Sequence, residues 1–508
     1  MANILSFTPI DEIPKIHHEL KEAFQTGKTR PIAYRRQQLL QLCYLLQDNL
    51  ERFYAALYAD LGRPREEATI LECSGTLLEI KDAYDHVEKW AKTEKSPFNL
   101  LWWTLSPQTR KEPKGVILII SPFNYPVYLT LCGLASAIAA GNVVMLKPSE
   151  LSPATAALLA ELMPRYVDPD LVRIVNGGVP ETKKILELPF DHILYTGNNR
   201  VAKIICTAAA QHLTPVTLEL GGKSPCVIDP SCNAQLAAKR IWWGKLLNSG
   251  QLCLSPDYVL VPEFFQDQFV KVLEEVYCEL HPTDPKTSGQ MARIVNERHT
   301  KRLKQLLDDT KGTVVFGGTV DIAAKYVAPT LVKNVKRDDA LMSEELFGPI
   351  LAVVPVRDLD EAITFINSID HALTVYIFSN NRGFKNTVLD RTRSGTASIN
   401  ETVMHVAAND APFGGVGGSG TGYTTGKAGF DEFTHFRCTV EHPAWVEHTP
   451  LAGRYTPYDA KAVARMASML RPRLPPRDGS SSLVKKLTFA LGIAIAGALG
   501  AILTQWLL

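Results

Sequence analysis

The sequence predicts an α/β protein with two successive, mostly parallel sheets wrapped by helices, and three observations predict it. From Gly115 onward, short runs that are apolar throughout are separated by segments of helical pattern. Such runs lack polar alternation, which marks strands buried on both faces and hence parallel sheets with helices on either side. The same alternation begins afresh after Gly222, and a chain of 508 residues is too long for one core.

Taken in order, the N-terminal part reads helical. Leu39, Leu42, Cys43, Leu46 and Leu50 follow the stripe of an amphipathic helix. Asp11, Glu12, Lys15, Glu19 and Lys21 break up the first residues, so no secretory signal is expected there. Strands are expected at 116–120, 143–146, 171–175 and 192–195, with helices at 129–140, 154–162 and 200–211. This is a dinucleotide-fold layout, and a ligand belongs at the carboxyl ends of those strands. Strands at 225–228, 258–261, 314–316, 351–354 and 375–378, with helices at 234–247, 264–280 and 296–308, make the second α/β region. Residues 471–482, rich in Pro, Arg and Ser, read as a flexible linker. Beyond them Leu487 to Leu508 carries no charge, and as a helix it measures about 33 Å at roughly 1.5 Å per residue. A membrane span is expected there, with Lys485 and Lys486 flanking it on the cytosolic side.

Composition narrows the function. A formal net charge of +1 gives no footing for nucleic acid. The nine cysteines form no CxxC pair and the twelve histidines no HExxH, so reduced thiols and no structural metal are expected.

Two runs carry chemistry. Asn248-Ser249-Gly250-Gln251-Leu252-Cys253 offers a thiol nucleophile among small residues, and Glu219-Leu220-Gly221-Gly222-Lys223-Ser224-Pro225 offers a carboxylate base beside a turn. A third run, Pro122-Phe123-Asn124-Tyr125-Pro126, directly follows the first expected strand; alone, its Asn reads as a turn residue. Together these runs closely resemble the aldehyde dehydrogenase superfamily over roughly residues 10 to 440, and more finely its class 3, fatty aldehyde dehydrogenase branch.

The resemblance implies the aldehyde dehydrogenase fold, with a Rossmann-like NAD-binding domain at 1–85 and 107–217 and a catalytic domain at 218–420. It also implies a β-hairpin bridging element at 86–106 and 421–440 that builds a homodimer; a gate helix and linker are expected at 441–482, and the uncharged stretch 487–508 is expected as a transmembrane tail anchor. Trp102 and Trp103 in the arm fit an interface or a core equally. Cys253 is then the nucleophile and Asn124, with the Cys253 N–H, the oxyanion donor, a contact whose loss costs about 3–4 kcal/mol of barrier. Glu219 is the base that activates water, its pKa raised by burial toward neutrality. There is no GxGxxG, and Thr196, Gly197 and Asn198 at a helix start are expected to face the pyrophosphate. Tyr195 and Asn198 depart from the family's usual Phe-Thr-Gly-Ser, which puts a side-chain contact from Asn198 in doubt. Lys147 and Glu150 are expected on the adenine ribose, where a carboxylate favours NAD over NADP, with NADP possible. Glu345 and Phe347 match the nicotinamide-ribose clamp. The glycine-rich run 412–420 lacks Walker spacing and reads as a structural floor under the substrate funnel.

A bilayer span points to a lipophilic aldehyde, with long-chain aliphatic aldehydes first and apocarotenals or aromatic aldehydes as alternatives. A membrane-tethered scaffold without catalysis is the reading from another class, and intact Cys253, Glu219 and Asn124 argue against it. The apolar face Val463, Met466, Ala467 and Leu470 fits a lid over the funnel or a helix resting on the membrane. The membrane's identity (endoplasmic reticulum, outer mitochondrial or peroxisomal) stays open.

Overall fold

Strands β1 (Val116–Ile120) and β2 (Val143–Lys147) are buried at every residue, as expected of unbroken apolar runs with both faces covered. The structure, a computed structural model, describes residues 5–99, 102–408, 411–472 and 474–477. With β3 (Val172–Ile174), β4 (His192–Thr196) and β5 (Val216–Glu219), these strands form a sheet in the order Gly420–Thr421, β5, β4, β1, β2, β3, parallel except for Gly420–Thr421. The chain steps outward from β1 to β3 and then returns to β4 on the other side of β1. That reversal opens a crevice at the carboxyl ends of β1 and β4.

The second sheet holds β6 (Pro225–Ile228), β7 (Tyr258–Pro262), β8 (Thr313–Phe316), β9 (Thr330–Lys333), β10 (Ile350–Val356), β11 (Thr374–Phe378) and β12 (Thr396–Ile399), in the order β8, β9, β10, β7, β6, β11, β12. Its residues sort to two faces with a period of two. Tyr258, Leu260, Ala352, Val354, Val375 and Ile377 join one core, and Val259, Val261, Leu351, Val353, Tyr376 and Phe378 the other.

By contacts the chain forms two compact units, the larger running to Lys92 and from Lys111 to Arg437, the smaller comprising Thr93–Arg110 and the chain from Cys438. Both sheets lie in the larger. In the smaller, Glu94–Lys95 pairs antiparallel with Gln108–Thr109, Trp103 lies 6.0 Å from Trp445, and the helix Ala460–Leu470 is capped by Asp459.

Four expectations are corrected. The stripe through Leu50 is two helices, Ile32–Gln47 and Leu50–Leu61, because Asp48 and Asn49 close the first, with Asn49 Nδ2 on Leu45 O at 3.0 Å. β8 is an edge strand, antiparallel to β9 and partly exposed rather than buried. The arm expected from 86 begins later, since the helix Gly75–Trp90 carries buried Val87 and Trp90 into the larger unit's core. Glu219 and Gly420–Thr421 both belong to the first sheet, so neither end of the 218–420 catalytic stretch coincides with a change of sheet; that change falls at Leu220–Ser224. The expected span at 487–508 lies outside the described residues, among which no helix is long and apolar enough to cross a membrane.

Candidate active site

The thiol sits beyond a loop that few sequences tolerate. Asn248 (φ 49°), Ser249 (φ 53°) and Gly250 (φ 75°) are left-handed in succession, which costs about 1–2 kcal/mol for each residue bearing a side chain. Buried hydrogen bonds offset that cost. Asn248 N donates to Glu67 at 2.8 Å, and its Nδ2 to Asn124 O at 2.9 Å and Gln251 O at 3.1 Å. Ser249 Oγ donates to Ala292 O. Gln251 Nε2 donates to Asn248 O and Arg293 O, and its Oε1 accepts from Val295 N at 2.9 Å. Only glycine fits at 250, since a Cβ there would lie 2.2 Å from Gly348 O, a backbone atom. Gly250→Ala is expected to lower unfolding free energy by about 2–4 kcal/mol in urea titration.

Cys253 is half-buried, and the N–H groups of Cys253 and Leu254 point at its sulfur. Burial, then the carboxylates of Glu345 and Glu219, pushes the thiol well above its ordinary range, so it rests protonated and requires a base. Asn124, buried just past β1, donates through Nδ2 to Gln251 O at 3.2 Å. Its amide thus meets the nucleophile loop and retains a second hydrogen with no hydrogen-bond partner among the described residues. Glu219 ends β5, where burial first and Glu432 second push its carboxyl up to about 8 against a long 3.4 Å bond from Thr424 Oγ1. The glycine-rich run forms the other wall. Gly415 fits tightly against Ser419 O, Gly420 pairs with Glu219, and Phe413 bridges to Thr424.

Glu345 takes a place that the sequence does not show. Its carboxylate lies against the Gly221–Gly222 turn, accepting the Gly222 N–H, and a Cβ at Gly221 would fall 2.1 Å from its Oε2. Burial, then Asp257, pushes it up to about 8. Lys223 on Leu341 O and Glu344 O (2.8 Å each) and Arg302 on Glu345 O (3.2 Å) fix this segment. Phe347, at φ 48°, meets Phe123 edge to face at 6.0 Å.

At the crevice, Lys147 Nζ bonds Glu150 Oε2 at 2.8 Å and Pro148 O at 3.2 Å. Asn198 is exposed, and its Oδ1 is taken up in capping the helix by accepting Val201 N–H at 3.0 Å. The departure at 195 has a structural use, because the Tyr195 hydroxyl accepts Asn198 N–H at 3.1 Å beneath Gly197, where a Cβ would collide with it at 2.1 Å. Of the groups expected to face a pyrophosphate, the Gly197 N–H is spent on Glu219 O at 3.0 Å and the Asn198 N–H on Tyr195, which leaves the N–H groups of exposed Asn199 and Arg200 at the helix start for a phosphate. Ser121 Oγ, buried at the end of β1, has no partner among the described residues. An unpaired hydroxyl, helix-tip amides and the Lys147–Glu150 pair, all at the strand ends, fit a dinucleotide. Gln251 and Ser121 were missed in the sequence; only the adjacency of Ser121 to a strand end hinted at it.

Cys253 packs against an apolar cluster that includes Tyr125, Leu247, Leu252, Leu254, Val403 and Phe413, as do Tyr128, Leu129 and Trp243.

The aldehyde dehydrogenase family profile matches residues 10–439. The chain is 46% identical over 418 residues to mouse aldehyde dehydrogenase family 3 member A2, covering 82% of this chain and 86% of that protein. It is 42% identical over 441 residues to the rat dimeric NADP-preferring aldehyde dehydrogenase, covering 87% and 97%. The substrate-bound structure of Staphylococcus aureus AldH superposes with a TM-score of 0.86 at 38% identity, covering 90% of this chain and 99% of that one.

Proposed function

The chain belongs to the aldehyde dehydrogenase family, enzymes that oxidise aldehydes with NAD or NADP, and on that premise we propose that it converts long-chain lipophilic aldehydes to carboxylic acids through a thioester on Cys253. The observation that carries the substrate class is the apolar cluster of Tyr125, Leu247, Leu252, Leu254, Val403 and Phe413 against which Cys253 packs.

The Cys253 sulfur bonds to the carbonyl carbon as its proton passes to solvent water, which serves as the base, and the carbonyl electron pair moves to oxygen. The free hydrogen of Asn124 Nδ2 and the Cys253 N–H receive that oxygen's charge. A nicotinamide dinucleotide, when bound, supplies the hydride acceptor that leaves a thioester on the sulfur. Lys147, Glu150 and Ser121 would hold its adenosine end, the Asn199 and Arg200 amides its phosphates, and Phe347 and Glu345 its nicotinamide half. Glu150 favours NAD. Glu219 then takes a proton from water, which attacks the thioester and frees the acid and the thiol.

Leu487–Leu508, charge-free behind Lys485 and Lys486, supports insertion in a membrane with the enzyme on its cytosolic face, and a homodimer accompanies this reading. An aldehyde panel from short chains to C16–C20, with apocarotenals and aromatic aldehydes, tests the substrate. Expected is a kcat/KM rising up to about fourfold per methylene until the pocket is filled. A flat series, or one topped by the aromatic or apocarotenal members, overturns the aliphatic reading.

A further inference from the structure

Beneath the nucleophile loop lies a buried cation that the reaction steps leave unused. Arg63 follows Gly62, the left-handed residue ending the helix Leu50–Leu61, and its side chain is wholly buried. The guanidinium donates to Glu72 and to the main-chain carbonyl of Asn124. Its Nε lies 3.4 Å from Glu67 Oε1, and the group stands 4.4 Å from the centre of the Tyr125 ring. Both acids extend the grip. Glu67 Oε1 accepts Asn248 N–H at 2.8 Å, and Glu72 Oε2 accepts Tyr128 N–H at 2.7 Å. Glu72 projects from a π-helical turn, Ala68–Ser74, of the kind often found at functional sites. Asn248 Nδ2 closes the circuit on the same Asn124 carbonyl at 2.9 Å.

We propose that Arg63 is a positioning residue for carbonyl addition, holding Asn124 directly and Asn248 through Glu67 so that the Asn124 amide and the Cys253 loop keep one spacing. This rests on the oxyanion role given to Asn124 and adds what keeps the two segments in register. A guanidinium suits the task because it is planar and always charged, and its several fixed N–H donors serve separate acceptors at once, which an ammonium on a flexible stem matches poorly. A small displacement of an oxyanion donor is costly in rate, since its bond must be made where charge develops.

The test compares Arg63→Met and Arg63→Lys, each in the parent and in Asn124→Ala, reading kcat, KM and iodoacetamide alkylation of Cys253. Expected for Arg63→Met is a kcat lower by roughly 10- to 100-fold with aldehyde KM nearly unchanged, and Arg63→Lys recovers part of the loss. In Asn124→Ala the same change adds less than about threefold, since the donor it positions is gone. Alkylation, which builds no oxyanion, stays near the parent rate. Should Arg63→Met fail to fold, Glu67→Ala carries the same comparison, because it cuts the Asn248 arm and leaves Arg63 on Glu72 and Asn124. Unchanged kcat, or equal losses in both backgrounds, overturns the proposal. Parent-like activity of Asn124→Ala overturns the oxyanion assignment instead.

Discussion

Cys253→Ala is expected to abolish aldehyde oxidation, lowering kcat by at least about 10⁴-fold, because no other group can form the covalent adduct from which hydride leaves. Cys73, Cys132 and Cys226 are buried elsewhere in the packing, and none lies in the apolar cluster around the site. Removing one half-buried sulfur should shift stability by less than about 1 kcal/mol, so urea unfolding serves as the folding control. Mass spectrometry of the parent, quenched during turnover, should find the acyl group on the peptide containing Cys253. Turnover of the alanine variant within tenfold of the parent, or acyl label on another cysteine, rejects the assignment.

Glu219→Gln should separate the two halves of the reaction. The glutamine keeps the size of the carboxyl and cannot take a proton from water, so kcat falls about 10²- to 10⁴-fold while the first turnover survives. Stopped-flow absorbance should show a burst of reduced cofactor near one equivalent per site, then a slow phase. The pH dependence follows from the sign of the shift. Glu219 is a carboxylate only above its raised pKa of about 8, so deacylation in the parent should rise with pH through that value and level off beyond it. In the glutamine variant this rise disappears. A variant that loses the burst together with the steady state places Glu219 in thiol activation rather than hydrolysis.

Much of this was readable in the sequence, for stated reasons. β1, β2, β7 and β11 could be placed because strands covered on both faces are apolar along nearly their whole length, with polar residues such as Thr374 and Lys147 only at an end. Cys253, Glu219 and Asn124 were found because each sits in a run of residues that shapes its own backbone. β12, Thr-Ala-Ser-Ile, escaped notice because it is an edge strand, half polar and partly exposed. Arg63 and Gln251 were unreadable for a different reason, since the bonds that tie them to the site end on main-chain carbonyls and amides of Asn124, Arg293 and Val295 that only folding brings near, and the Arg63–Glu67 spacing of four by itself marks only an ordinary helical ion pair. No spacing or residue type announces a bond to a backbone atom. Tyr195 was read as a departure from a motif, and its use became visible only when its hydroxyl was found on the Asn198 amide.

Gly420 lies beside Glu219 in the sheet, and Thr424 supplies that carboxyl's hydrogen bond. A ribosome must therefore deliver nearly the whole globular part before the water-activating group acquires its final neighbours. A growing polypeptide carries its sulfur long before the residues that surround Glu219 have been made. A C-terminal deletion reaching back past Thr424 also strips buried Phe430 and Phe433 from the core, so turnover is expected only from a chain synthesised beyond them.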